Sequence, residues 1–182
     1  MRFTPLSLAG AYRVEPEQLG DERGFFARLF CIKEFAAVGL PTSWNQCNMS
    51  FSANCGMVRG LHFQRPPNSE TKLVRCTRGA VFDVIVDLRS GSPNYGKWHA
   101  ERLDDRNNVM ICIPAGFAHG FQTLTTNVEM LYFHSAPYSV PDEGGLRWDD
   151  PALGITWPFA LSEISARDRA LPSLKELEPI TI

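Results

Sequence analysis

The run Val58-Arg59-Gly60-Leu61-His62-Phe63-Gln64, with Lys72 further along the chain, sets one imidazole and two cations in a stretch of β-strand character. A base beside fixed positive charge suits proton abstraction from carbon: the imidazole takes the proton and the cation holds the resulting anion. Side chains alternate along a strand, so Arg59 and His62, at odd spacing, would fall on opposite faces. Gly60 relaxes that rule, because glycine within a strand often marks a bulge or a close backbone approach. Taken alone, a histidine in a sheet reads first as a buried, hydrogen-bonded core residue. A second chemical signal is Asp83 within Val81-Phe82-Asp83-Val84-Ile85-Val86-Asp87-Leu88. Val81, Asp83, Ile85 and Asp87 share one face and Phe82, Val84 and Val86 the other, so the wholly apolar face should pack on a core. An unpaired buried carboxylate is costly, so Asp83 needs a partner, and Lys72 on the preceding segment is the expected one.

The elements that must position these residues read as short strands. The Asp83 segment is rich in β-branched residues and ends at Ser90-Gly91-Ser92-Pro93. Residues 71–77, 108–114 and 128–134 read similarly. Residues 34–38 read as a short helix, and residues 160–174 hold one or two helical turns. Repeated short strands with regular turn signals predict an all-β sandwich or barrel. The 182 residues suit one domain, 1–182, large enough to bury most of its surface. A net charge of −2 gives no reason to expect nucleic acid or a membrane surface as partner. No apolar run approaches the ~18 residues of a spanning helix, and the first residues lack the succession of a signal peptide, so a cytoplasmic protein is expected. The five cysteines are scattered, without C-x-x-C, and form neither a zinc pattern nor a disulfide framework.

Pro114-Ala115-Gly116-Phe117-Ala118-His119-Gly120-Phe121 resembles the second motif of the cupin barrels, and the stretch from Gly56 a degenerate first motif. Metal-binding cupins carry two histidines one residue apart in that first motif; here Gln64 stands in place of the second. His62 and His119 alone are too few ligands for a stable first-row metal site, so no metal is expected. Ordered blocks along nearly the whole chain resemble the dTDP-4-dehydrorhamnose 3,5-epimerase family. They include Asp21-Glu22-Arg23-Gly24-Phe25-Phe26, Gln46-Cys47-Asn48-Met49-Ser50, the Arg59 to Gln64 run, Lys72-Leu73-Val74, Tyr132, Tyr138, Glu143, Trp148-Asp149-Asp150-Pro151 and Ser165-Ala166-Arg167-Asp168.

The resemblance implies a cupin-type double-stranded β-helix (jelly-roll) barrel with short peripheral helices. It also implies cofactor-free, metal-free inversion at C3, C5 or both of a nucleotide-linked 4-keto-6-deoxyhexose. The 4-keto group acidifies both neighbouring C–H bonds; one group removes a proton to give an enolate and another returns a proton to the opposite face. By resemblance His62 is the base, Asp168 orients it, Lys72 stabilises the enolate oxygen and Tyr132 is the proton donor. Arg23, Gln46, Asn48, Arg59, His119, Glu143 and Arg167 match substrate-binding positions, and Tyr138 matches the residue that stacks on the base; Asp83 joins the substrate-binding set. At position 28 the family usually has glutamate at the nucleotide end, and Arg28 reverses that charge. The carrier, dTDP, CDP or GDP, therefore stays open. A homodimer exchanging N-terminal strands is also implied. The same barrel and enolate logic serve sugar-nucleotide 3,4-ketoisomerases, and a non-catalytic sugar-nucleotide-binding cupin is the alternative from another class.

Overall fold

The computed structural model describes all 182 residues. Thirteen strands follow in chain order, beginning with β1 (Arg2–Pro5), β2 (Tyr12–Glu15), β3 (Gln18–Asp21) and β4 (Gly24–Ala27). Next come β5 (Gln46–Ser52), β6 (Val58–Gln64), β7 (Lys72–Arg78), β8 (Ala80–Asp87) and β9 (Trp98–Asp104). The last are β10 (Met110–Ile113), β11 (Phe117–Thr123), β12 (Val128–His134) and β13 (Glu143–Gly145). Of two short helices, α1 (Ile32–Ala37) overlaps the predicted 34–38 segment but starts two residues earlier, and α2 (Ala166–Arg169) falls within the predicted 160–174 segment. The strands form a six-stranded sheet ordered β1-β2-β10-β7-β12-β5 and a five-stranded sheet ordered β13-β6-β11-β8-β9, both antiparallel. Strands β3 and β4 pair only with each other.

Side-chain parity divides the apolar residues into three layers. Val74, Cys76, Ile111, Ile113 and Met130 of the six-stranded sheet meet Val81, Ile85, Leu103, Phe117 and Phe121 of the five-stranded sheet in the barrel interior. The opposite face of β8, Val84 and Val86, packs outward with Leu61, Phe63 and Ala118 beneath the C-terminal segment of Leu146, Leu153 and Ile180. That confirms the apolar face read from the sequence. Leu73, Met110 and Val14 form the third layer with Phe35 of α1 on the outer face of the six-stranded sheet. At one end of the barrel the inward rows turn polar, and His62, Lys72, His119, Tyr132 and His134 all line one cavity there.

The bulge anticipated at Gly60 is present. The register of β11 against β6 shifts between His119 and Phe121, opposite Gly60. Gly60 has φ +116°, and a Cβ there would lie 2.6 Å from Gly120 Cα. The two glycines let the strands approach closely, and the shift turns both Arg59 and His62 toward the cavity.

Candidate active site

The cavity has a volume of about 660 Å³, the size of a small-ligand site. Residues of both sheets line it, with His62 on β6 and Tyr132 on β12. His62 Nε2 donates to Asp168 Oδ1 at 2.8 Å, which leaves Nδ1 as the free ring nitrogen. Asp168 is 4% exposed, and its second oxygen accepts from the Gly60 backbone N–H at 3.1 Å. Ser165 caps α2 by accepting from the Asp168 N–H at 3.0 Å, which fixes where the carboxylate enters the barrel. Burial works against the Asp168 charge, but the bonds from His62 and Gly60 outweigh it and hold the carboxyl below its ordinary range. An ionised carboxylate behind an imidazole fixes its tautomer and stabilises its protonated form.

The expected Asp83–Lys72 pair is not formed. Asp83 accepts from His119 Nε2 at 2.8 Å, both side chains being buried. The reason is topological: β7 and β8 are consecutive but belong to different sheets, whereas His119 lies on β11, the hydrogen-bonded neighbour of β8. Asp83 thus supports His119 from behind and does not itself line the cavity. Lys72 pairs instead with Glu70 at 3.2 Å and donates to the His62 carbonyl at 3.3 Å. Glu70 also accepts from His134 Nδ1 at 2.7 Å. Burial opposes its charge, yet His134 and Lys72 keep its pKa below the usual carboxylate range.

Tyr132 stands on the opposite sheet from His62, its ring against His119 and His134. Its hydroxyl bonds Ser50 Oγ of β5 at 2.8 Å. Burial pushes the phenol up, with the Ser50 bond acting in the opposite direction. Arg59 is held by its Nε donation to Ser52 Oγ at 3.0 Å and by donation to the Phe51 carbonyl at 2.9 Å.

The cavity rim carries Tyr138, Glu143 and Arg167 in a hydrogen-bonded group. Tyr138 O–H donates to Glu143 at 2.8 Å, and Arg167 donates to the other oxygen of the same carboxylate. Asn48 lines the cavity, while Gln46 accepts from the Tyr138 backbone N–H and so positions the rim. Gln64 donates to the Asn68 and Pro137 carbonyls at 2.9 and 3.1 Å and accepts from Ser139 N–H at 2.7 Å, tying the Tyr138 loop to the barrel. No three His, Cys, Asp or Glu side chains converge as a metal-ligand set. Arg23 and Arg28 are not brought to the cavity within one chain. They lie in and just after the β3–β4 hairpin, Arg23 paired with Asp21 and Arg28 with Glu34 at 3.3 Å.

The family model for dTDP-4-dehydrorhamnose 3,5-epimerase matches residues 5–176. The chain belongs to this family. A dTDP-4-dehydrorhamnose 3,5-epimerase of Sinorhizobium fredii is 48% identical over 97% of the chain and 91% of its own length. Among solved structures, NovW, a 4-keto-6-deoxy sugar epimerase of Streptomyces spheroides, superposes with a TM-score of 0.92 at 41% identity, covering 97% of this chain and 88% of that one. The Legionella pneumophila enzyme, solved in complex with dTDP-4-keto-L-rhamnose, has a TM-score of 0.91 at 35% identity over 97% of this chain and 94% of that one. The chain is thus an isomerase of cupin fold.

Four residues of this epimerase site escape the sequence reading: Ser50, Ser52, Glu70 and His134. Ser50 and Ser52 had a signal, because Gln46, Asn48, Ser50 and Ser52 alternate with Cys47, Met49 and Phe51. Glu70 and His134 meet only through the antiparallel pairing that sets His134 opposite Lys72. Nothing local announces them.

Proposed function

We propose that this epimerase inverts C3 and C5 of a dTDP-linked 4-keto-6-deoxyhexose through enolates, without cofactor or metal, the product being dTDP-4-dehydro-L-rhamnose. One observation carries the reading: an imidazole backed by a carboxylate and a phenol line one cavity from facing sheets. His62 Nδ1 takes the proton from carbon, and Asp168 stabilises the imidazolium. Lys72 stabilises the enolate oxygen. Tyr132 delivers a proton to the opposite face. The complex of the Legionella relative with dTDP-4-keto-L-rhamnose supports the substrate class. Arg59, Asn48, His119, Tyr138, Glu143 and Arg167 hold the substrate; the planar forks of the arginines suit diphosphate oxygens.

We further propose a homodimer in which the β3–β4 hairpin docks on the second copy and brings Arg23 to its cavity. Leu19, Phe25 and Phe26 of the hairpin are 64, 56 and 69% exposed, and Met49 and Phe51 of edge strand β5 are 69 and 49% exposed. Such large apolar side chains, clustered on two unpaired edges, mark an interaction surface. We also propose cytoplasmic residence, in keeping with five free cysteines, and a role in cell-surface polysaccharide biosynthesis. The test of the reaction is incubation with dTDP-4-keto-6-deoxyglucose in deuterated water. Deuterium at both C3 and C5 of an inverted product is expected; binding without exchange at either carbon overturns the proposal.

A further inference from the structure

The inward row of β5 is Gln46, Asn48, Ser50 and Ser52, and each of the two serines engages a polar group from another strand. Ser52 is buried and accepts from Arg59 Nε. Ser50 Oγ lies 2.8 Å from the Tyr132 hydroxyl and lines the cavity. It is the hydrogen-bond partner that the protein gives this phenol. We propose that Ser50 is the positioning residue of the acid face: its hydroxyl donates to the Tyr132 oxygen, directs the phenolic proton into the cavity, and holds the phenolate left by proton transfer.

The argument turns on which sense of the bond survives the reaction. A phenol and a serine hydroxyl each carry one hydrogen and can donate in either direction at rest. With Tyr132 as the acid, the reading on which this depends, its O–H bond breaks as the enolate electron pair forms the new C–H bond. The carbonyl re-forms, and the negative charge passes from the enolate oxygen to the phenolate. From that moment Tyr132 oxygen accepts only, and Ser50 is the donor within reach. Ser50 keeps its own proton throughout; solvent entering the cavity recharges the phenolate.

The bond therefore changes from neutral to charge-assisted as the transition state develops, and such bonds are about twice as strong. An interaction that strengthens in the transition state raises kcat and leaves KM nearly unchanged. Burial makes the phenolate expensive, and Ser50 and the Arg59 charge act against that cost. The Asp83 charge, itself bonded by His119, adds to that cost, so the Ser50 donor has the more to offset.

The experiment compares Ser50→Ala, Ser50→Thr and Tyr132→Phe in deuterated water, reading deuterium exchange and inversion separately by NMR. His62 can abstract a proton and return deuterium to the same face, so exchange survives loss of the acid face while inversion does not. Ser50→Ala is expected to lose inversion by roughly 10- to 100-fold in kcat, with KM within about twofold and exchange within about threefold of wild type. Ser50→Thr keeps the hydroxyl and is expected to invert within about fivefold of wild type. Inversion by Ser50→Ala within twofold of wild type overturns the proposal, as does a parallel fall of exchange and inversion, or a threonine variant as slow as the alanine one. Tyr132→Phe separates the two levels. Exchange without inversion upholds the acid reading even if Ser50 proves idle, whereas full inversion by Tyr132→Phe removes both.

Discussion

Replacing Asp168 by asparagine changes one oxygen to an amide and leaves the volume of the side chain almost unaltered. The asparagine carbonyl can still accept from the Gly60 N–H that Asp168 satisfies at 3.1 Å. Its NH2 group then faces His62 Nε2, which Asp168 contacts at 2.8 Å in the wild type. Two donors cannot share that contact, so the imidazole becomes an acceptor at Nε2 and carries its proton on Nδ1. The nitrogen facing the cavity is then no longer a base. Loss of the charge-assisted bond to the forming imidazolium alone costs about 1.5–3 kcal/mol, or roughly 10- to 150-fold in rate. The tautomer change adds to this, and the corresponding substitution in a serine protease triad costs ~10⁴. A fall on the order of 10²- to 10⁴-fold is therefore expected. Deuterium exchange and inversion should fall together, because abstraction itself is impaired. Thermal unfolding should confirm a folded chain. An Asp168→Asn protein that exchanges within about fivefold of wild type would refute the base assignment and the dyad logic with it.

Gly60→Ala forces a Cβ to within 2.6 Å of Gly120 Cα at φ +116°, and should lower the thermal midpoint by roughly 5–12 °C in differential scanning fluorimetry. Asp168, Glu70 and Asp87 all have carboxyl pKa values below their ordinary range in the fold, so the unfolded chain binds more protons on acidification. Their stabilisation is complete above pH ~5 and is lost as pH falls through the folded values; Glu70→Gln should make the acid limb of urea-unfolding stability shallower by up to about 1.4 kcal/mol per pH unit. Phe26→Asp, on the exposed hairpin, should convert a dimer to a monomer in sedimentation equilibrium with the barrel still folded. A wild-type protein that sediments as a monomer would remove the proposed interface.

Much of the site is legible in the sequence because strand parity and ordered motifs fix which residues face inward. His62, Lys72, His119 and Tyr132 all line the cavity as expected. Gly60 was the decisive local cue, since without a bulge Arg59 and His62 would point apart. What escapes is pairing between strands. Asp83 needs a partner by physics, but the choice between Lys72 and His119 depends on which strands become hydrogen-bonded neighbours. Proximity in sequence favours Lys72, and the crossing from one sheet to the other between β7 and β8 defeats it. Arg28 illustrates the same limit. Its reversed charge stands out in the sequence, whereas its pairing with Glu34, which also takes the Met1 ammonium at 2.7 Å, is visible only in the fold.

The roles proposed for His62 and Tyr132 follow from what stands behind each one. His62 is backed by an ionised carboxylate, so charging the imidazole creates an ion pair where a neutral ring and a lone anion stood before. That bias favours taking a proton. Tyr132 is backed by a hydroxyl; burial and the Asp83 charge raise its pKa, while the Ser50 bond and the Arg59 charge oppose that rise. Those two supports lower the cost of giving one. Exchanging the two supports would weaken both: a carboxylate behind the phenol would hold its proton, and a hydroxyl behind the imidazole would leave the cation unbalanced. Facing sheets set the two groups across the cavity, and in the proposed mechanism the residues one layer behind set the direction in which protons move.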